Sequence, residues 1–533
     1  MSSRHHLLLA VLFAATLHVV GVSRSILPAQ DGLKFIRIAR GFHSRPWVEV
    51  VRGSDQHPLY PALIALAQPP VALVLGDSPT SWRIAAQLVS ILAYLAILPI
   101  LHRLTLRLFD SNAVADLCVW IFVLLPVPAE LGRDTLGDAL GLLALTAAIT
   151  LAEAALRTGA WRSWVGAGLA AGLGYLARPE LMLVPVSVAL TTLGLARKSA
   201  GRVANVETSA GPTRFPTLAK LGTLGVASLV IVGSYALVKG EISEKLSLRL
   251  GVSLGPSARA RPVTTVASGK IESPRWDFSP KEEFERSPLR GKPLRVVRRM
   301  AQEWMEGLGW IFAPFAVWGL VKSRSADGSW VGRRLLLIHM ILFSLVAIRM
   351  STSLGYLSGR HAMTHVLLCM PFAASGLSRW ASGFPARRGL SPSTGKWLGA
   401  IGLTGLIVLG VNAQVKAMHP SRWGHQQAGL WLREHALSQE PALDTRGWAN
   451  FVRGGTGYDY WHVHQALSDP KLRYLIVGSD ELTAPSRRAE TLRALVAAAC
   501  EPLASFPERQ GGEDSAVLLF QFLPQADRKE LQP

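Results

Sequence analysis

The sequence predicts a polytopic α-helical membrane protein of about eleven transmembrane helices, with interfacial helices in its first outer loop and a small C-terminal α/β domain. Three observations lead there. Only 17% of the residues are charged and 49% are hydrophobic, whereas soluble domains carry about a quarter charged residues. Apolar runs of roughly 17–25 residues recur, the length that crosses about 30 Å of hydrocarbon as helix. From about residue 420 the pattern changes to alternating helical and strand segments.

The first run, LLLAVLFAATLHVVGV (7–22), follows Arg4 as a signal peptide would. No small-x-small cleavage site follows it, so it reads as a retained span, 7–23. Further spans are expected at 83–102, 112–129, 135–156, 163–178, 180–196, 218–238, 304–321, 334–350, 361–378 and 397–413. Trp82, Trp161, Trp164, Trp304, Trp330 and Trp397 lie at or near their ends, as interfacial belts require.

The apolar segment 58–75 decides the topology. The loops near 102–111, 157–162, 197–217, 322–333 and 379–396 are rich in Lys and Arg and poor in acids. They share the side of Arg4 only if 58–75 does not cross. It is therefore read as an interfacial helix opened by Pro58 and Pro61, with the N-terminus cytoplasmic and the C-terminus outside. The membrane domain is 1–413, with a first outer loop at 24–82 and a large polar outer loop at 239–303. Loops this long largely escape the charge rule, so the basic residues of 239–303 fit an outer position.

The tail, 414–533, reads as a soluble extracytoplasmic α/β domain. HQQAGLWLREHAL (425–437) and RRAETLRALVAAACEPL (487–503) have helical patterns, while KLRYLIVGSD (471–480) and SAVLLFQFL (515–523) read as strands. The net charge of +20 does not point to nucleic acid, because the tail carries 13 Lys and Arg against 14 Asp and Glu. The excess lies in the membrane part, where it marks topology. The three cysteines, Cys118, Cys369 and Cys500, form no spacing for a disulfide framework or metal site. His462 and His464 in YWHVH fit strand alternation and have no third ligand, which argues against a metal there.

With this topology the outer face collects Asp31, His57, Glu130, Arg133, Asp134, Asp138, Arg178, Glu180, Arg360 and His361. Charges at membrane depth are costly and mark function or pairing. Carboxylates serve as general bases, and guanidiniums bind phosphate bidentately. The Asp134 and Asp138 spacing places both carboxylates on one helix face, which permits a divalent ion without establishing one.

These residues carry a resemblance. Asp31-Gly32 with Phe35 and Ala39 resembles the D-x-x-x-[YF]-x-x-x-A segment in the first outer loop of GT-C glycosyltransferases. HPLYPALIAL, with His57 and Tyr60, is similar to their H-P-P-L interfacial helix. LARPE (176–180) and SGRH (358–361) sit where the protein O-mannosyltransferase and lipid A aminoarabinose transferase group, including RgtA/B/C/D-like bacterial members, has Arg-containing segments. The resemblance implies a GT-C fold and sugar transfer from a polyprenyl-phosphate donor to a lipid, glycan or protein acceptor. Asp31 would be the general base, with Asp134 or Asp138 the second acid. Arg133, Arg178 and Arg360 would hold the donor phosphate, and His57, Tyr60 and His361 would line the substrate site. Two departures bear on acceptor and sugar: Gly32 follows Asp31 where the mannosyltransferases often have Glu, and Phe35 replaces tyrosine.

Each residue also has a plainer role. Asp31 suits the wet end of a span, His57 and Asp134 suit helix caps, and Arg133 suits a pair with Glu130 or Asp134. Arg178 and Arg360 suit interfacial anchors, and Lys34, Arg37 and Arg40 suit lipid head groups. A lipid-linked-sugar transporter or a non-catalytic envelope assembly protein are the rival classes. A shared transferase site requires Asp31, Arg360 and one of Asp134 and Asp138 within about 15 Å.

Overall fold

The computed structural model describes residues 2–203, 215–240, 287–322, 330–387, 392–437, 439–455, 457–507 and 516–523. Helix α1 (Ser3–Ser23) leads to three helices of the first loop, α2 (Gln30–Ser44), α3 (Trp47–Gly53) and α4 (Leu59–Leu75). Then come α5 (Pro79–Phe109), α6 (Asn112–Leu124), α7 (Pro126–Arg133), α8 (Asp138–Thr158), α9 (Trp161–Tyr175), α10 (Leu183–Val203) and α11 (Phe215–Lys239). Beyond the large loop lie the helices Pro293–Gly307, Phe312–Lys322, Trp330–Leu354, Gly359–Arg387 and Pro392–Gln414.

Among the described residues, five helices are long and apolar enough to cross a membrane, or seven if two bent pairs each count as one span. The chain is an integral membrane protein. Of the eleven spans expected, 112–129 and 304–321 fall on the bent pairs, 163–178 on the 15-residue helix α9 and 180–196 on a shorter apolar helix. The run 112–129 bends by 67° between α6 and α7. Pro126 has no N–H to continue the ladder and holds Leu125 in extended backbone. The run 304–321 bends by 102°, where Gly309 and Trp310 take left-handed φ values of 67° and 56°. Its first residues end the charged helix Pro293–Gly307, which the last part of the large loop forms. The run 180–196 starts as the 3-10 turn Pro179–Met182. Residues 241–286 of the large loop lie outside the described residues, as do parts of the basic loops 197–217, 322–333 and 379–396.

Helix α5 is the strut of the bundle. Tyr94, Ile97, Leu98 and Leu101 are buried in one core with Phe122 of α6, Leu145 and Ala148 of α8, and Phe372. Helix α4 packs Tyr60, Ile64 and Ala65 with Ile36 and Ala39 of α2 and Ala85 and Ala86 of α5. It leaves Leu66, Leu73 and Val74 exposed.

The tail folds around a five-stranded sheet of order β2-β1-β3-β5-β4. Strand β1 (Ala442–Asp444) is parallel to β2 (Gly457–Tyr458) and β3 (Tyr474–Gly478), while β5 (Ala516–Phe522) is antiparallel to β3 and to β4 (Cys500–Pro507). Alternation along β3 sends Leu475 and Val477 to a core with Leu492 and Leu495, and Tyr474 and Ile476 to a core with Ala428 and Leu432. A helix thus covers each face. Two local expectations change. YWHVH (460–464) forms helical turns, not a strand, and the helix from Arg487 stops at Ala499, where Cys500 begins β4.

Candidate functional site

Helix α2 starts at Gln30, so Asp31 lies in its first turn, where a carboxylate complements the helix dipole. The start of α2 presses onto the 134–137 segment. The Ala29 N–H donates to Thr135 Oγ1 at 2.9 Å, and a Cβ on Gly32 would collide with the Thr135 side chain. The glycine after Asp31 is therefore a packing requirement.

Helix α8 starts at Asp138. Arg178, between α9 and the 3-10 turn, places Nη2 3.0 Å from Asp138 Oδ1 and Nε 3.1 Å from Glu180. Its stem crosses Gly141, where a Cβ would strike it. Arg360 opens the helix Gly359–Arg387. Its Nη2 donates to Asp31 Oδ2 at 2.9 Å, and its Nη1 lies 3.9 Å from Asp138 Oδ2. Asp31, Asp138, Arg178, Glu180 and Arg360 therefore share one cluster. The Asp31 side chain is 43% exposed and the Asp138 side chain 6%. Asp31 faces open space, while Asp138 is a buried anchor for two guanidiniums.

Of the other expected site residues, His361 adjoins this cluster and the rest make their contacts elsewhere. Arg133 is buried; it donates to the Gln414 carbonyl and packs on Gly21. Asp134 accepts from the Thr135 N–H at 2.7 Å and lies 3.1 Å from His419 Nε2. Asp134 and Asp138 do not share a helix face, because Asp134 is in extended backbone before α8 begins. The Tyr60 hydroxyl is buried and donates to the Ala86 carbonyl at 2.9 Å, with Ser90 Oγ at 3.0 Å, so it serves the core. His57 is buried against Tyr175 and Tyr235. His361 neighbours Arg360 and accepts from the Ser358 N–H at 3.2 Å, closing its own helix start. The basic stripe on α2 grips the tail: Arg37 pairs with Asp459 at 3.1 Å, and Arg40 lies over Trp82 and Phe451.

Among the described residues no three His, Cys, Asp or Glu side chains gather for a metal ion, and arginines occupy both Asp31 and Asp138. Beside the cluster runs an apolar groove of about 690 Å³ between α2, α3, α4 and α11, walled by Phe42, Trp47, Leu66, Ile231 and Val238. Leu176, two residues before Arg178, is part of its wall. Neither the groove nor the tail contacts were legible beforehand, because each joins segments far apart in sequence.

Residues 55–208 match the family model described as dolichyl-phosphate-mannose-protein mannosyltransferase, under a third of the chain. Among solved structures, ArnT from Cupriavidus metallidurans bound to undecaprenyl phosphate is similar with a TM-score of 0.57 and 12% identity, over 96% of this chain and 97% of that one. The archaeal oligosaccharyltransferase AglB from Archaeoglobus fulgidus, in complex with an inhibitory peptide and a dolichol-phosphate, also gives 0.57 at 12% identity, over 97% of this chain and 75% of that one. No curated protein sequence matches. The chain has the GT-C fold that the resemblance implied, and the family-model match takes in the HPLYPALIAL segment.

Two stability outcomes follow from the pairing. Asp138→Ala takes the shared counter-ion from two mostly buried guanidiniums, leaving Arg178 with Glu180 and Arg360 with Asp31, and is expected to cost about 3 kcal/mol. Asp31→Ala, at a half-open pair, is expected to cost under about 1 kcal/mol. Thermal unfolding in detergent compares them, and equal losses would contradict the anchor role. Burial alone raises the Asp134 carboxyl, but the hydrogen bond and charge of His419 hold it below its ordinary value of 3.8. Its contribution is present above that value and is lost as pH falls through the depressed one. Asp134→Asn should flatten the acid side of a stability profile measured below about pH 4.

Proposed function

We propose that the protein transfers a sugar from a polyprenyl-phosphate donor to an acceptor hydroxyl or phosphate, with inversion, at the outer face of a bacterial inner membrane. The observation that carries this is Arg360 bridging Asp31 and Asp138. A half-open carboxylate beside two guanidiniums supports a base next to a phosphate site, and the apolar groove with Leu176 in its wall supports a prenyl chain as donor lipid. The fold shared with ArnT and AglB supports the same chemistry.

In the resting state Arg360 holds Asp31. An arriving donor phosphate takes this guanidinium, with Arg178 behind it, and frees Asp31 for the acceptor. Asp31 accepts the acceptor proton as the acceptor oxygen attacks the anomeric carbon. The bond from that carbon to the phosphate oxygen breaks on the opposite side. Polyprenyl phosphate leaves, its charge neutralised by the fixed guanidiniums. Asp138 never meets the substrate in this scheme and keeps both arginines in place. Residues 1–413 form the catalytic membrane domain and 414–533 the extracytoplasmic domain.

Asp31→Asn and Asp31→Ala are expected to lower transfer from labelled undecaprenyl-phosphate sugars by about 10²–10⁴-fold. Normal turnover in both excludes Asp31 as base. Arg360→Lys keeps the charge but loses the fork, and its transfer rate should fall as well. A cysteine introduced into the 322–333 loop should react with an impermeant maleimide only after the membrane is opened. Labelling of that loop in intact cells would reverse the orientation.

A further inference from the structure

We infer that the tail domain belongs to the transfer machinery, with Arg422 and Trp448 acting as positioning residues for Asp31. This rests on Asp31 being the base proposed above. Pro28 lies three residues before Asp31 and is buried. Its carbonyl oxygen accepts two hydrogen bonds, both from the tail: Trp448 Nε1–H at 3.0 Å and Arg422 Nη1–H at 2.7 Å. The Arg422 guanidinium stacks 4.5 Å from the Trp448 ring centre, so the two donors fix one another. The next residue, Ala29, caps α2 and donates to Thr135 Oγ1 at 2.9 Å. Thr135 in turn donates its N–H to Asp134, which pairs with His419 at the start of the tail. The contacts close a ring. They leave the tail at Trp448 and Arg422, pass through Pro28, Ala29, Thr135 and Asp134, and return at His419. Asp31 is the second residue of the helix that starts on this ring.

The tail's architecture suits the task. Strand β1 ends at Asp444, and Trp448 opens the following helix, Trp448–Arg453. Trp448 thus stands just outside the carboxyl end of a parallel strand, where open α/β sheets hold their ligands. At this edge Arg446 lies 5.9 Å from the Trp448 ring centre and pairs with Asp480 and Glu481. What this edge grips instead is the Leu27–Pro28 backbone of its own chain. Two donors on one carbonyl leave the start of α2 little freedom to shift or tilt. A catalytic group displaced by about 1 Å loses rate on the order of 10²-fold.

The test uses the full chain in vesicles of phosphatidylethanolamine and phosphatidylglycerol, with a panel of labelled undecaprenyl-phosphate hexoses and pentoses. Trp448→Phe keeps the ring and removes the N–H, and Arg422→Gln removes the fork. Each is expected to lower kcat about 10–100-fold while the donor KM stays within about twofold. The double variant should lose little more than the worse single, because both donors act on one carbonyl. Amide exchange over residues 26–34 should rise about tenfold or more while β3 and β5 stay protected. Unchanged exchange at 26–34, or a loss confined to KM, overturns the inference. If Trp448→Phe strips protection from β3 and β5, Arg422→Gln alone decides. If the unaltered protein transfers none of the sugars, the proposed function falls, and the exchange measurement still decides whether the tail holds this segment.

Discussion

The convergence of the starts of α2, α8 and the helix Gly359–Arg387 depends on one guanidinium fork. Arg360 sits at the first turn of the helix Gly359–Arg387 and spans from Asp31 on α2 to Asp138 on α8. Two charges so far apart in sequence meet only if the helix starts converge. Small residues allow it: Gly32 lets α2 press against Thr135, and Gly141 leaves room for the stem of Arg178. The bundle core around α5 fixes where the helices end, and the charges hold those ends together. A mostly buried cluster of this kind is held by complementarity rather than by gross attraction, since desolvation offsets much of the Coulomb gain.

This division of labour separates two carboxylates that look alike in sequence. Asp138 is buried and shared by Arg178 and Arg360; Asp31 is half open and held by Arg360 alone. A base has to meet its substrate, and a structural counter-ion does not. The difference in exposure supports the proposed roles, Asp31 as base and Asp138 as counter-ion. Tyr60 and Arg133 turn inward instead, the Tyr60 hydroxyl to the Ala86 carbonyl and Arg133 Nη1 to the Gln414 carbonyl inside the bundle.

The sequence disclosed the membrane class, a helix over 58–75, the strands β3 and β5, and the charged residues Asp31, Arg178 and Arg360 that gather in one cluster, because each has a local signature. It did not separate Asp134 from Asp138. The D-x-x-x-D spacing fits one helix face only if both residues are helical, and α8 starts too late for Asp134. The breaks after Leu125 and at Trp310 were hidden by unbroken apolar composition, although Pro126 marked the first. The stripe Lys34, Arg37 and Arg40 had the right spacing for a lipid surface. Its partners Asp459 and Phe451 lie more than four hundred residues away, and no periodicity reports a contact of that range.

Those distant contacts change what the tail is for. A domain that only hung beside the membrane would touch it through exposed, exchangeable charges. This one buries Trp448 against the backbone that precedes Asp31, and places Phe451 with the core of α2, α4 and α5. The first loop is thus held from two sides, by the 134–137 turn below it and by the tail above. A loop lying between two rigid bodies can be exact in position and still open to solvent at one carboxylate, which is the combination a base at a membrane surface requires.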